Sequence, residues 1–242
     1  LAGKEDTVLD LSGATALDDA GDRELRVRTG DDSAAADITI NAPATYLIED
    51  VTATDPVAGS DTLDVTATVT NDGDITGTQD IQLDAGDIGT DTATDVSLDG
   101  GETDTITLSV SPDESDIGDQ SSIVTTDDDA ALAESTVREP ADIDVSIDSV
   151  TNPVRADQDE LEVVATLENT GGVSDTVDVD LEYDGDVQDT ASTVTVDAGA
   201  TETVTFDGNT LPADLIGELN IAVTAADGSD DETITVLEAP DS

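Results

Sequence analysis

The 242-residue chain holds 60 acidic against 6 basic residues, a formal charge of -54, and it contains no His and no Cys. These counts remove imidazole bases, thiol nucleophiles, disulfides and thiolate metal sites, and they disfavour nucleic acid, whose phosphates are gripped by Lys and Arg. No apolar run approaches the roughly 20 residues of a membrane-spanning helix, and the opening Leu-Ala-Gly-Lys-Glu-Asp is not a signal peptide, so a chain starting at Leu1 is expected to be processed or cut from something longer.

Residues 1–43 read as short strands at Thr7–Leu11, Glu24–Arg28 and Ala35–Ile40, separated by Asp/Gly-rich turns. Arg26 and Arg28 alternate with Leu25 and Val27 in the one strand of cationic character. So few strands make no independent sandwich, and the segment needs a partner in this chain or in another.

Proline then punctuates the chain. Ile38-Thr39-Ile40-Asn41-Ala42-Pro43, Ser135-Thr136-Val137-Arg138-Glu139-Pro140 and Ile234-Thr235-Val236-Leu237-Glu238-Ala239-Pro240 each read as a final strand stopped by a residue that cannot continue a sheet ladder. The expected organisation is a partial β module or strand-exchange segment at 1–43, a module at 44–140 and a second at 141–242. From Leu63–Leu108 to Leu161–Phe206 the two modules align without a gap at an offset of 98, matching Leu63 with Leu161, Asn71 with Asn169 and Gly73 with Gly171. In both, apolar residues fall at alternate positions (Leu63, Val65, Ala67, Val69; Leu161, Val163, Ala165, Leu167) until Asn-x-Gly ends the run. The second module offers strands near Asp142–Val150, Glu160–Glu168, Asp175–Tyr183, Val187–Val196, Thr201–Asp207, Gly217–Thr224 and Glu232–Leu237, with an Asp-Gly hairpin signal at Asp184-Gly185. Helix is nearly absent, with at most one turn at Pro212–Leu215. The fold class expected is all-β: tandem immunoglobulin-like β-sandwiches preceded by an incomplete set of strands.

The periodic Val, Ile and Leu argue against disorder despite the charge. With lysine almost gone and Asp dominating the acids, the composition is that of proteins from extreme halophiles, whose carboxylate surfaces hold water and cations in molar salt. Because Tyr46, Tyr183 and Phe206 are the only aromatic residues, the cores are built from Val, Ile, Leu and Ala, and stability in low salt is expected to be marginal.

An apolar-alternating strand, Asn-x-Gly, a Thr/Asp strand and then Gly before a Thr-rich strand recur as Val65–Gly73 with Gly100-Gly101-Glu102-Thr103 and as Val163–Gly171 with Ala198-Gly199-Ala200-Thr201. This pattern resembles CARDB, the cell-adhesion-related domain of bacterial and archaeal surface proteins, over roughly 44–240. The resemblance implies an immunoglobulin-like fold, tandem occurrence on extracellular proteins and no general catalytic residues. Together with the composition, it implies the ectodomain of a haloarchaeal cell-surface protein.

The remaining chemistry is that of carboxylates. A glycosidase-type pair is the catalytic device still open, but with so many acids any chosen pair is expected to be surface, and the protein is expected not to be an enzyme. Calcium takes roughly six to eight oxygen ligands, and Asp-rich turns supply them at Asp127, Asp128 and Asp129, at Asp227, Asp230 and Asp231, and at Asp18, Asp19 and Asp22. None has EF-hand spacing, so a solvated acidic turn is the alternative. Asp178, Asp180 and Glu182 lie on the wet face of their strand. Asn-x-Ser/Thr sequons are absent, whereas Thr-rich faces permit O-linked sugars. The expected function is an extracellular structural protein: surface filament, surface-layer component or stalk, associating head-to-tail with itself or with other surface proteins, in one version by strand complementation. The alternative is a cell-adhesion or ligand-binding surface module, in one version without any cofactor and in another with calcium.

Overall fold

Strands form where apolar residues fall at every second position, because that spacing puts them on one side of an extended chain. In β4 (Leu63–Asn71) Leu63, Val65, Ala67 and Val69 are fully buried, and in β12 (Glu160–Asn169) so are Leu161, Val163, Ala165 and Leu167. The computed structural model describes residues 20–226 and 228–240; the strand expected at Thr7–Leu11 lies outside them.

The described residues begin with a hairpin of β1 (Gly21–Arg28) and β2 (Ser33–Ile40). The first sandwich contains β3 (Tyr46–Ala53), β4, β5 (Gly77–Asp84), β6 (Thr90–Leu98), β7 (Thr103–Val110), β8 (Gly118–Thr125) and β9 (Ala130–Val137), arranged as sheets β3-β4-β7 and β6-β5-β8-β9. The second contains β10 (Ile143–Val150), β11 (Val154–Arg155), β12, β13 (Asp175–Tyr183), β14 (Asp186–Val196), β15 (Thr201–Thr210), β16 (Gly217–Ala225) and β17 (Gly228–Leu237), arranged as β10-β12-β15 and β11-β17-β16-β13-β14. Helical structure among the described residues is confined to single 3-10 turns, one of them at Ala213–Leu215. Short β11 escapes sequence reading. It pairs parallel to β17, so the second sandwich is not purely antiparallel, and an isolated bridge from Val57 to Arg138 is parallel as well.

One compact unit takes in the described residues up to Thr54 with Leu63–Val110 and Asp119–Ser135; the other takes in Asp55–Thr62, Ser111–Gly118 and the residues from Thr136 onward. Two separate apolar cores correspond to the two sandwiches.

The gapless alignment has physical content at Asn71 and Asn169, both fully buried. The Asn71 amide donates to the Ile75 and Leu98 carbonyls at 2.9 and 3.0 Å, and its oxygen accepts from the Gly73 and Thr45 amides at 3.0 and 3.1 Å. Asn169 does the same with Val173, Val196, Gly171 and Asp142 at 2.8 to 3.2 Å. The glycine of each Asn-x-Gly is needed for close approach: a Cβ at Gly73 would overlap the Pro43 carbonyl, and one at Gly171 the Pro140 carbonyl. Each proline-marked segment is thus packed against the asparagine corner of the strands that follow it.

The cores differ where the sequences do. Tyr46 sits opposite Asn71 in the register that Ile143 occupies opposite Asn169. Its hydroxyl accepts from the Leu98 amide at 2.9 Å and donates to the Gly77 carbonyl at 2.8 Å. A side chain at Gly77 would press on the tyrosine ring; the second sandwich has Asp175 there beside the smaller Ile143. Ser122 and Ser135, buried with hydroxyls that bond to nothing, stand where the second sandwich has Ile221 and Ile234. An unmet buried polar group costs roughly 1–3 kcal/mol. Replacing both serines by valine is expected to raise the stability of the first sandwich by about 1–3 kcal/mol. In urea denaturation of the whole chain in molar salt, one transition should move up and the other stay; no movement of either contradicts the assignment.

Candidate association surface and acidic turns

The β8–β9 turn is closed by the Thr126 amide on the Asp129 carbonyl at 2.9 Å, and its aspartates reach across to β3. Asp128 accepts from the Tyr46 amide at 2.9 Å and the Gln79 side chain at 2.7 Å, while Asp129 accepts from the Ile48 amide at 3.0 Å and the Ala130 amide at 2.8 Å. The Ile48 amide, followed by that of Ala130, holds the Asp129 carboxyl below the ordinary 3.8. In the second sandwich Asp230 accepts from the Ile147 amide at 2.8 Å, and Asp231 from the Asn220 side chain at 2.8 Å. Asp127 is in the first turn but contributes its backbone amide, to Gln79. Asp22 lies on β1 and accepts from the Thr39 hydroxyl at 2.8 Å; Asp18, Asp19 and Asp227 lie outside the described residues. Among the described residues no group of three or more acidic side chains is placed to hold a metal ion.

Sequence reading missed what these carboxylates do: they occupy backbone amides of edge strands. β3 and β10 are edges of their sheets. The same device recurs on β7, where Asp91 accepts from the Ser109 amide, and on β9, where Asp55 accepts from the Thr136 amide, both at 2.8 Å. The equivalent edges β6 and β14 are interrupted by bulges, with Asp95 and Thr193 at φ 55° and 59° and their amides held by Asp80 and Asp178 at 2.9 Å. On edge β15 a register shift and Gly208 at φ 74° break the run. An unpaired strand edge is a template for pairing with another chain, and bulges and charges on it block that pairing.

Among the described residues β1 meets neither device. Its register with β2 is unbroken from Gly21–Ile40 to Arg28–Ser33, and from Asp22 to Thr39 both strands are exposed on both faces. One face carries Leu25, Val27 and Ile38, each about two-fifths exposed or more, together with Arg23; the other carries Asp22, Glu24, Arg26 and Arg28. Arg26 is ion-paired with Glu24.

A cavity of about 360 Å³ opens in the second sandwich between Tyr183, Asp186, Asn209 and Leu215. The Tyr183 hydroxyl and Asn209 amide on its wall have no hydrogen-bond partner. Burial, and then the charge of Asp189, pushes the Tyr183 hydroxyl above its ordinary pKa.

Asp129 supplies a pH test. Its lowered pKa means that the unfolded chain binds this proton more readily, so the bond adds stability above the ordinary carboxylate range and loses it as pH falls through the folded value. Asp129→Asn is expected to flatten the acid-side fall in melting temperature, and EDTA in molar NaCl to leave the wild-type melt unchanged. A melt that drops on chelation would place an ion among these aspartates.

Both sandwiches are immunoglobulin-like. No protein-family model matches the chain, and no curated protein is similar to it. Among solved structures it resembles an I-band fragment of titin (15% identity, 81% of this chain and 66% of that one, TM-score 0.37) and red sea bream transglutaminase (12% identity, 80% and 31%, TM-score 0.34). A protein of unknown function from Porphyromonas gingivalis is similar at 12% identity, over 80% of this chain and 98% of that one, with a TM-score of 0.27. The chain spans under a third of the transglutaminase and about two thirds of the titin fragment.

Proposed function

We propose that the chain is a non-catalytic structural part of an extracellular cell-surface protein adapted to molar salt, a haloarchaeal one of CARDB-like design. In this reading 44–140 and 141–242 are its modules, and residues 1–43 contribute strands that pair between subunits in a filament, surface layer or stalk. The observation that carries it is the contrast in edges. The sandwich edges are interrupted or occupied by aspartates, whereas β1 keeps an unbroken edge and an exposed apolar face. Electron microscopy of the protein in molar salt tests the reading: fibres or lattices are expected, and isolated rods would contradict it.

A second reading, an adhesion or ligand-binding module, is favoured by the unpartnered Tyr183 hydroxyl and Asn209 amide in one cavity. Calcium belongs to this reading through the acidic turns, and the EDTA melt above tests it.

A further inference from the structure

The charged face of β1 reads Asp22, Glu24, Arg26, Arg28, two negative side chains followed by two positive ones. We propose that β1 pairs antiparallel with β1 of a second copy of this chain, about a two-fold axis at Leu25. The proposal deepens the structural reading above by naming the partner and the register.

The hairpin geometry decides which backbone groups are free. The Thr29 amide bonds the Asp32 carbonyl at 2.8 Å, and in an antiparallel ladder bonded and non-bonded pairs alternate from there. Val27, Leu25 and Arg23 therefore point their amides and carbonyls toward β2, while Arg28, Arg26, Glu24 and Asp22 point theirs outward, the Asp22 carbonyl accepting there from the exposed Arg23 guanidinium at 3.2 Å, which the pairing displaces. Pairing through that outer edge must join residues of the second set. Centred on Glu24 or Arg26, it sets that residue against its own copy and makes two opposite-charge pairs rather than four; shifted further toward either end, it sets Asp22 against Glu24 or Arg26 against Arg28. Centred on Leu25, it sets Asp22 against Arg28 and Glu24 against Arg26, twice each by symmetry. Opposite charges directly across a ladder stabilise and like charges destabilise it.

The same register brings the two Leu25 side chains together as a non-bonded pair, with Cα atoms about 4.5 Å apart. Leu25, Val27 and Ile38 of both copies then share one face of a four-stranded sheet, with Arg23 of each copy across from Val27 of the other. The outermost strands of that sheet are the two copies of β2, so the contact is isologous and closes at two chains. Growth beyond a pair needs a second contact elsewhere.

The chain has no cysteine, which makes Leu25→Cys a clean probe, since the expected separation lies within the roughly 4.4–6.8 Å range of disulfides. In oxidising buffer at molar salt, full-length L25C is expected to form a reducible dimer, and Ala36→Cys on β2 to form none. The charge test uses D22R/E24R and R26E/R28E. Each alone should sediment as a monomer, and an equal mixture should sediment as a dimer. Three results overturn the pairing: L25C remaining a monomeric thiol, the charge variants self-associating as the wild type does, or β1 amides protected from exchange in a monomer, which would mean that another part of the chain covers this edge. Micrographs separate the two readings, because crosslinked pairs without fibres defeat the filament alone, and fibres without the crosslink defeat the pairing alone.

Discussion

Asn71→Ala is expected to unfold the first sandwich at a salt concentration where the second still holds, and Asn169→Ala the reverse. Each asparagine is fully buried and bonds four backbone groups. Alanine leaves two amides and two carbonyls without partners, at roughly 1–3 kcal/mol for each that water cannot reach. Allowing for partial rescue by water, the loss is about 3–5 kcal/mol, a large part of the roughly 5–15 kcal/mol that holds a domain together. Aspartate is no substitute: it still accepts from the Gly73 and Thr45 amides, but it faces the Ile75 and Leu98 carbonyls with a charge and no donor. Asp72→Asn, one residue along on the surface, should change little. Urea melts of the whole chain read the effect, and a loss under about 1 kcal/mol for N71A would show that the corner is dispensable.

The second large effect is salt. Arg26 and Arg155 are ion-paired with Glu24 and Asp159, but 6 basic residues against 60 acidic ones leave most of the acids without a cation of the chain to neutralise them. Some are engaged in other ways: Asp178 and Asp180 on the wet face of β13 accept from the Thr193 amide and the Thr190 hydroxyl at 2.9 and 2.6 Å. These bonds fix the carboxylates in place without cancelling their charge. At about 0.1 M salt the screening length is roughly 10 Å, so neighbouring carboxylates repel; near 1 M it is about 3 Å, and they scarcely do. Against that repulsion stand aliphatic cores worth roughly 25 cal/mol per Å² buried. Dialysis from molar to 0.1 M NaCl is expected to lower the melting temperature by on the order of 10 °C or more, as a few kcal/mol would do in domains of this size. Partial protonation at low salt should recover part of the loss until Asp129, whose carboxyl is held below the ordinary value, begins to titrate. A melt indifferent to salt would contradict the account.

Much of this fold is legible in sequence because the information is local. Alternation in Leu63–Val69 and Leu161–Leu167 gives the central strands. Asp184-Gly185 gives a hairpin whose residues have φ 49° and 90°, as a tight two-residue turn demands. The strands expected at Glu24–Arg28 and Ala35–Ile40 form, each extended by a few residues. What escapes is long-range. Asn71 and Asn169 look like strand terminators because the carbonyls they bond, Leu98 and Val196, lie 27 residues away. Asp128, Asp129 and Asp230 look like solvated or cation-binding turns because the amides they hold lie 81 to 83 residues away. Composition hides them as well: in a chain with 60 acids, no spacing distinguishes an aspartate that occupies an edge from one that faces salt water. Ser122 and Ser135 interrupt the apolar alternation of β8 and β9, and only the second repeat, with isoleucine at both places, marks them as core.

Residue-resolved hydrogen exchange in molar salt tests the sealing of the edges most directly. The amides of Tyr46, Ile48, Ser109, Thr136 and Ile147 lie on edge strands and are held by Asp128, Asp129, Asp91, Asp55 and Asp230. They should exchange as slowly as neighbouring amides bonded within the ladders, and each should become fast when its aspartate is replaced by alanine. Fast exchange at these positions in the unaltered protein would mean that the carboxylates face solvent and that the sandwich edges are open.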